Sequence, residues 1–269
     1  MTSNRSVSRN CRSSNSVVLI AVFVFSLLAV SPGQVEAADN RVVTRLQQDQ
    51  AVIGTFGRSA RADLDFVVID EQYTELDRNG EIDIDGVSAA LAKMQLGDRA
   101  AVAAPIVRIP LVARDAPQAV VRQLLGAGVF GVMFPDIETP QQAMAAIDSM
   151  GSQRATGTDL WPLAAAGNLV AMIQIESPLG IEHLDEILDV PGIGVIFLGP
   201  TDIASAIGAE GPNSPRVETL VQEVLAVCLA RNIACGYPIV AATPEDADQQ
   251  TARRLQEGFK VLAVMTRAR

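Results

Sequence analysis

Residues 173–208 read I-Q-I-E-S-P-L-G-I-E-H-L-D-E-I-L-D-V-P-G-I-G-V-I-F-L-G-P-T-D-I-A-S-A-I-G. The pattern is strand, helix, strand and tight turn. The first strand closes on Glu176, and Asp202 sits three residues beyond V-I-F-L-G. In a parallel α/β sheet the carboxyl ends of neighbouring strands lie side by side, and such folds place their chemistry there. Two acids brought to one rim by adjacent strands suit a hard divalent cation with oxygen ligands.

Outward from this stretch, eight short apolar segments recur, at 51–57, 65–70, 103–110, 131–135, 171–176, 194–199, 232–238 and 259–266. Most are continuous apolar runs, as expected of strands covered on both faces. Helical patterns at 86–96, 116–125, 140–150, 181–188, 215–231 and 244–257 separate most of them. Pro140, Pro215 and Pro244 fit first helical turns, and Gly126, Gly128 and Gly258 fit helix stops. The expected fold is therefore α/β, a (β/α)8 barrel of the TIM type. Two units depart from the ideal. Only residues 58–64 join the first two strands, too few for a crossover helix, and no helical pattern follows the eighth strand. The expected barrel is thus trimmed, with a doubly wound open sheet as the alternative.

At 269 residues, 49% of them hydrophobic, the chain has enough apolar content for one barrel-sized core. Its net charge of −10 argues against a nucleic-acid partner, because neutralising phosphates takes a basic face. Residues 1–37 read as an export signal. Arg5, Arg9 and Arg12 precede an apolar run from Val17 to Val30, and Val35-Glu36-Ala37 offers a small-x-small cleavage site. Residues 38–50 form a lead-in and 51–269 the barrel. The expected location is periplasmic or secreted, with no membrane partner after cleavage; an uncleaved anchor is the alternative. Cys11 leaves with the signal, and Cys228 and Cys235 read as buried small hydrophobes that an exported protein could also pair.

Several residues share the rim of Glu176 and Asp202. Arg108 ends P-I-V-R-I-P and can offer a planar fork to a carboxylate. Gln174 lies two residues before Glu176, so it shares that strand face and points into the barrel. Asp70-Glu71-Gln72-Tyr73 follows the second strand, where Asp70 either holds a metal-bound water or caps the loop. Gly199-Pro200-Thr201-Asp202 is a turn whose N–H groups can receive an anionic oxygen. Residues 77–88 imitate a calcium loop, but Ile82 and Ser88 stand where such a loop needs Gly and Glu. A polar loop running into a helix is the reading there. His183 is the only histidine, which removes a Ser-His-Asp triad. P-loop and nucleophile-elbow motifs are absent.

The segments V-V-I-D, P-I-V-R-I-P, G-A-G-V-F-G-V-M-F-P-D-I-E-T-P-Q-Q-A, Q-I-E-S and the stretch through A-S-A-I-G resemble the HpcH/HpaI aldolase and citrate lyase family. The resemblance covers about 52–266 and is most specific over 174–208. It implies a (β/α)8 barrel that binds Mg²⁺, Mn²⁺ or Co²⁺ and, with it, a pyruvate unit. On that footing Glu176 and Asp202 would be the metal ligands, and Arg108 would stabilise the enolate oxygen. Gln174 and the backbone at Thr201 and Asp202 would hold the small 2-oxo acid, with Asp70 behind them. The implied reaction is cleavage of a 4-hydroxy-2-oxo acid to pyruvate and an aldehyde. The resemblance further implies a homo-oligomer, a hexamer in much of the family.

Three departures stand out. The family's segment after the second strand is Asp-x-Glu-His, with His as general base; here Tyr73 takes the His position. The family's Asp that makes this His more basic is replaced by Gly126. A Tyr-Pro-Pro-x-Gly-x-Arg segment is absent, with 149–160 as a short substitute. A phenol titrates about 3.5 units above an imidazole, which makes it roughly 5 kcal/mol poorer as a base at neutral pH. Proton transfer would then pass to Tyr73, to Glu71 or to hydroxide on the metal. The alternative function is a degenerate exported barrel that binds metal and a 2-oxo acid without turnover.

Overall fold

The computed structural model describes residues 40–94, 103–151 and 159–266. Its strands are β1 (Val52–Phe56), β2 (Phe66–Asp70), β3 (Ala104–Arg108), β4 (Gly131–Phe134), β5 (Leu160–Trp161), β6 (Leu169–Ile175), β7 (Val195–Leu198), β8 (Ala234–Ala241) and β9 (Val261–Thr266). Every pairing is parallel, and the sheet runs β4-β3-β2-β1-β9-β8-β7-β6 before β4 pairs with β6 and closes it. The two residues of β5 only extend the start of β6. Eight strands thus close a TIM-type barrel, and the open-sheet alternative is excluded.

The helices are α1 (Arg41–Gln47), α2 (Asp85–Met94), α3 (Gln118–Ala127), α4 (Pro140–Gly151), α5 (Pro178–Glu182), α6 (Leu184–Leu188), α7 (Pro200–Ala206), α8 (Pro215–Ala230) and α9 (Pro244–Glu257). Pro215 and Pro244 open their helices behind the side-chain caps Ser214 and Thr243, where a missing N–H costs nothing. The stretch 58–64 carries no helix, as its length requires. The expected single helix over 181–188 is two short ones broken at His183. The expected turn at 199–202 is the first turn of α7.

Period-two alternation sorts the strand residues into two cores. Val67, Ile69, Val107, Val132, Ile173 and Ile196 face outward and are covered by helices. Phe66, Val68, Ala104, Ile106, Met133, Val170, Met172 and Phe197 fill the interior. The interior is tight enough that a Cβ on Gly54 would strike the Phe66 ring. The same inward rows continue towards the strand ends as Asp70 on β2, Arg108 on β3 and Gln174 on β6. The interior therefore changes from apolar to polar on reaching the carboxyl rim.

The other end of the barrel is closed by α1. Fully buried Asn40 caps this helix, and its amide donates to the carbonyls of Phe130 (2.9 Å) and Asn168 (3.1 Å), which precede β4 and β6. Val42 and Val43 pack into the interior core. The lead-in is thus a plug as well as a linker, and it leaves the carboxyl rim as the open end. The reading of 1–37 as an export signal lies outside the described residues. Cys228 and Cys235 are buried and free, adjacent between α8 and β8. Asp77 accepts backbone N–H bonds from Asn79 (2.8 Å) and Glu81 (2.9 Å), folding that loop on itself before α2.

Between α8 and α9, buried Arg254 grips both oxygens of Glu218 at 2.8 Å and lies 4.0 Å above the Tyr237 ring. These hydrogen bonds hold Glu218 down to about 2. A carboxylate with a depressed folded pKa stabilises the fold above its unfolded value near 4.3 and loses that contribution as pH falls towards the folded value. Glu218→Gln is expected to lower stability at neutral pH by on the order of 3 kcal/mol, because a buried guanidinium loses its partner. Urea unfolding should also show a flatter pH dependence below about pH 4.5 in the variant.

Candidate functional site

Parallel register sets Asp70 directly opposite Arg108. The guanidinium answers with a fork, Nε to Oδ1 at 2.8 Å and Nη2 to Oδ2 at 2.6 Å. Burial pushes Asp70 up, but Arg108 outweighs it and holds the carboxyl below its usual value. The remaining edge of Arg108 reaches Gln174 Oε1 at 3.4 Å, and Gln174 Nε2 donates to Glu176 Oε2 at 3.1 Å. Arg108 also lies 4.9 Å above the Phe56 ring. Four side chains from three strands thus form one hydrogen-bonded row across the rim.

Glu176 ends this row at 3% exposure. Burial, then the negative charge of Asp202, raise its carboxyl to about 7, against the lowering effect of Arg108; Asp136 adds to the rise. Its Oε1 accepts the Asp136 N–H at 2.9 Å. That N–H is presented by a left-handed residue, φ 49°, in the turn after β4. Arg114 locks the turn, bonding the Asp136 carbonyl (3.0 Å), its carboxylate (2.6 Å) and Glu138 (3.3 Å). Asp136 itself titrates high, through burial and the neighbouring Glu138 and Asp202. On the other side the Gly199 backbone presses on Glu176, so that a Cβ there would overlap the carboxylate. If Glu176 holds a cation, as the family resemblance implies, Gly199→Ala is expected to turn that carboxylate away and weaken Mn²⁺ binding by about 10- to 100-fold, read by calorimetry.

A cavity of 320 Å³ opens above the row, bordered by Asp70, Tyr73, Arg108, Gln174, Glu176, Thr201 and Asp202. All seven residues picked out in the sequence meet there. The two N–H groups expected to hold an anion differ. Asp202 N–H already donates to Gly199 O at 3.1 Å, so Thr201 supplies the unused donor of that turn. Tyr73 stands at the mouth, 82% exposed. Glu71, the other carboxylate considered for proton transfer, is turned aside: it is buried against Arg58 (2.6 Å) and Thr74 (2.5 Å). Gly126 is an exposed residue near the end of α3, which leads into the closed end of the barrel, so no single-chain relay joins its position to Tyr73. His183 sits at the α5–α6 break with Nδ1 at 2.8 Å from Glu138 O, in a structural contact. Sequence reasoning passed over Asp136, although F-P-D repeats the signal of an acid just past a strand.

A family model described as HpcH/HpaI aldolase/citrate lyase matches residues 49–265. The chain belongs to this family. Among its relatives, a 5-keto-4-deoxy-D-glucarate aldolase of Escherichia fergusonii is 30% identical over 181 residues, 62% of this chain and 67% of the relative. A hydroxypyruvate/pyruvate aldolase of Delftia acidovorans is 34% identical over 143 residues, 47% of this chain and 52% of the relative. The matched stretches thus span only about half to two thirds of these relatives. A solved HpcH/HpaI family protein from Burkholderia cenocepacia shares the fold with a TM-score of 0.65 at 24% identity, covering 84% of this chain and 93% of that one.

The HpcH/HpaI family is generally dependent on a divalent metal, so the fit of these residues to one needs testing. Among the described residues no group of three or more His, Cys, Asp or Glu side chains is arranged to hold a metal. A zinc-type site with three protein ligands therefore does not match. Glu176 and Asp202 offer two hard oxygen donors beside an open cavity, the provision that suits Mg²⁺-like ions completing their shell with water and substrate. The mutual repulsion that raises Glu176 is what a cation would relieve. The donor set fits.

Proposed function

We propose that this chain is a divalent-metal-dependent carbon–carbon lyase of the aldolase type, cleaving a 4-hydroxy-2-oxo acid to pyruvate and an aldehyde. The observation that carries the reading is the row Asp70–Arg108–Gln174–Glu176, with Asp202 beside it, along one cavity. The relatives named as aldolases support the same reaction class. We take the native setting to be exported, from the leader-like residues 1–37.

Glu176 and Asp202 would hold the cation, which when bound supplies Lewis-acid polarisation of the keto group. Arg108 is prealigned by Asp70, so its charge faces the keto oxygen where negative charge develops. Gln174 Nε2 and Oε1 are both committed, which keeps that amide in one orientation between Arg108 and Glu176. Thr201 N–H is placed to receive the substrate carboxylate. In the cleavage step the 4-hydroxyl loses its proton, the C3–C4 bond breaks, and its electron pair passes to C3 as the aldehyde carbonyl forms. The resulting enolate takes up a proton at C3 to give pyruvate. Tyr73, at the cavity mouth, would hold or deliver that proton.

The test is pyruvate release from 4-hydroxy-2-oxo acids with Mg²⁺, Mn²⁺ or Co²⁺, before and after chelation. Release that survives chelation, or no release from any such acid, overturns the reading. One observation favours a second reading, a binder without turnover. Glu71 is held by Arg58 and Thr74, and Tyr73 is largely exposed, so neither side chain is fixed at the mouth in an orientation for proton transfer. Calorimetry separates the two: metal-dependent binding of pyruvate or oxalate without cleavage supports the binder. An absence of metal binding overturns both.

A further inference from the structure

A second cavity, of 390 Å³, borders the first along Pro200, Thr201, Pro238 and Val240. Thr201 and Val240 are exposed, so the two cavities meet at the open rim. The far wall of the second cavity carries Asn213, Asp246 and Gln250. Asp246 is fixed in place. Its carboxylate accepts from Gln250 Nε2 (3.0 Å) and Ala242 N–H (3.3 Å), and its own N–H donates to Thr243 Oγ1 (3.2 Å). With its Nε2 on Asp246, Gln250 keeps an Oε1 that accepts no hydrogen bond among the described residues, and Asn213 likewise has no partner among them.

Among the described residues no Lys or Arg borders this cavity. Of the described guanidinium groups, those on Arg253 and Arg254 lie beyond Asn213 and Gln250 and are tied to Glu218 and Glu257. Arg108, the cation of the first cavity, is occupied by Asp70. A carboxylate placed here would meet the Asp246 charge with no cationic side chain among the lining residues described to balance it. Hydroxyl groups, by contrast, can donate to Asp246 and to Gln250 Oε1 and accept from the Asn213 amide.

We infer that this second cavity is the distal subsite for the aldehyde half of the substrate, and that it selects a neutral, hydroxyl-bearing end over a carboxylate. The inference rests on the lyase reading above and names its substrate class. The reasoning is one of specificity by penalty: a buried or semi-buried anion beside a fixed like charge is rejected more strongly than a matching hydroxyl is favoured.

The test uses a matched pair of aldehydes on one carbon skeleton, glyceraldehyde and tartronate semialdehyde, each condensed with pyruvate by the full-length protein with Mn²⁺. Wild type is expected to favour glyceraldehyde at least tenfold in kcat/KM. Asp246→Asn should narrow that ratio, and Gln250→Arg should reverse it, with thermal melting as the check that each variant folds. Equal or better use of tartronate semialdehyde by wild type overturns the inference, as does a ratio that neither folded variant moves. Exchange of the pyruvate methyl protons in D₂O is followed in parallel. Exchange with the reversed preference sinks the subsite alone, whereas neither exchange nor condensation sinks the lyase reading and the subsite with it.

Discussion

Glu176→Gln is expected to abolish metal-supported pyruvate release, by at least about a thousandfold, while leaving a folded apoprotein. The substitution keeps the volume and removes the charge. It also places an amide where Oε1 accepts the Asp136 N–H and Oε2 accepts Gln174 Nε2, so one of those donors faces another donor. A pH dependence of stability follows from the raised carboxyl. A group whose folded value of about 7 lies above its unfolded one favours the fold when protonated. That advantage is complete below the unfolded value near 4.3 and is lost as pH rises through the folded value. Chelated wild type should therefore weaken between about pH 5 and pH 8, by on the order of 2–3 kcal/mol, and the Gln variant should not. Adding Mn²⁺ should raise the wild-type melting temperature and leave the variant unchanged. Equal stabilisation of both proteins by Mn²⁺ would remove Glu176 from the cation site.

Arg108→Met is expected to lower kcat by about 10²- to 10³-fold with a smaller change in KM, the pattern of a charge used mainly where negative charge develops. Arg108→Lys should recover little. A lysine can neutralise Asp70, but it has no planar fork to meet both oxygens while also reaching Gln174. Without the guanidinium, the Asp70 carboxyl loses what holds it low, and its titration should move upward in the Met variant. Carbon-detected NMR of Asp70 checks that shift independently of turnover. An unchanged Asp70 titration would mean that Arg108 is not its partner in solution.

Much of the barrel was legible because buried parallel strands impose a plain signature: short, continuous apolar runs with helices between. The rim residues were legible for a related reason. An acid, Arg or Gln at the end of such a run can hardly be core, so Asp70, Arg108, Gln174 and Glu176 announced themselves. Helix α1 was harder to read. R-V-V-T-R-L-Q has only a narrow apolar face, and its role as a plug depends on Phe130 and Asn168, far away in sequence. Sequence places Glu71, one of three candidates for proton transfer, beside Asp70, while one step along the chain turns it to Arg58.

The sequence by itself determined the fold class, the family and the residues of the rim, because strand burial and motif spacing are properties of local order along the chain. Tertiary structure alone decided how those residues are wired. Register across β2 and β3 paired Asp70 with Arg108, and a left-handed turn held by Arg114 aimed the Asp136 N–H at Glu176. Pairing of β6 with β7 brought Asp202 near enough to raise Glu176 further, beyond the effect of burial. Charge coupling and hydrogen bonding act over a few ångströms between groups tens of residues apart, and only the closed sheet sets those distances.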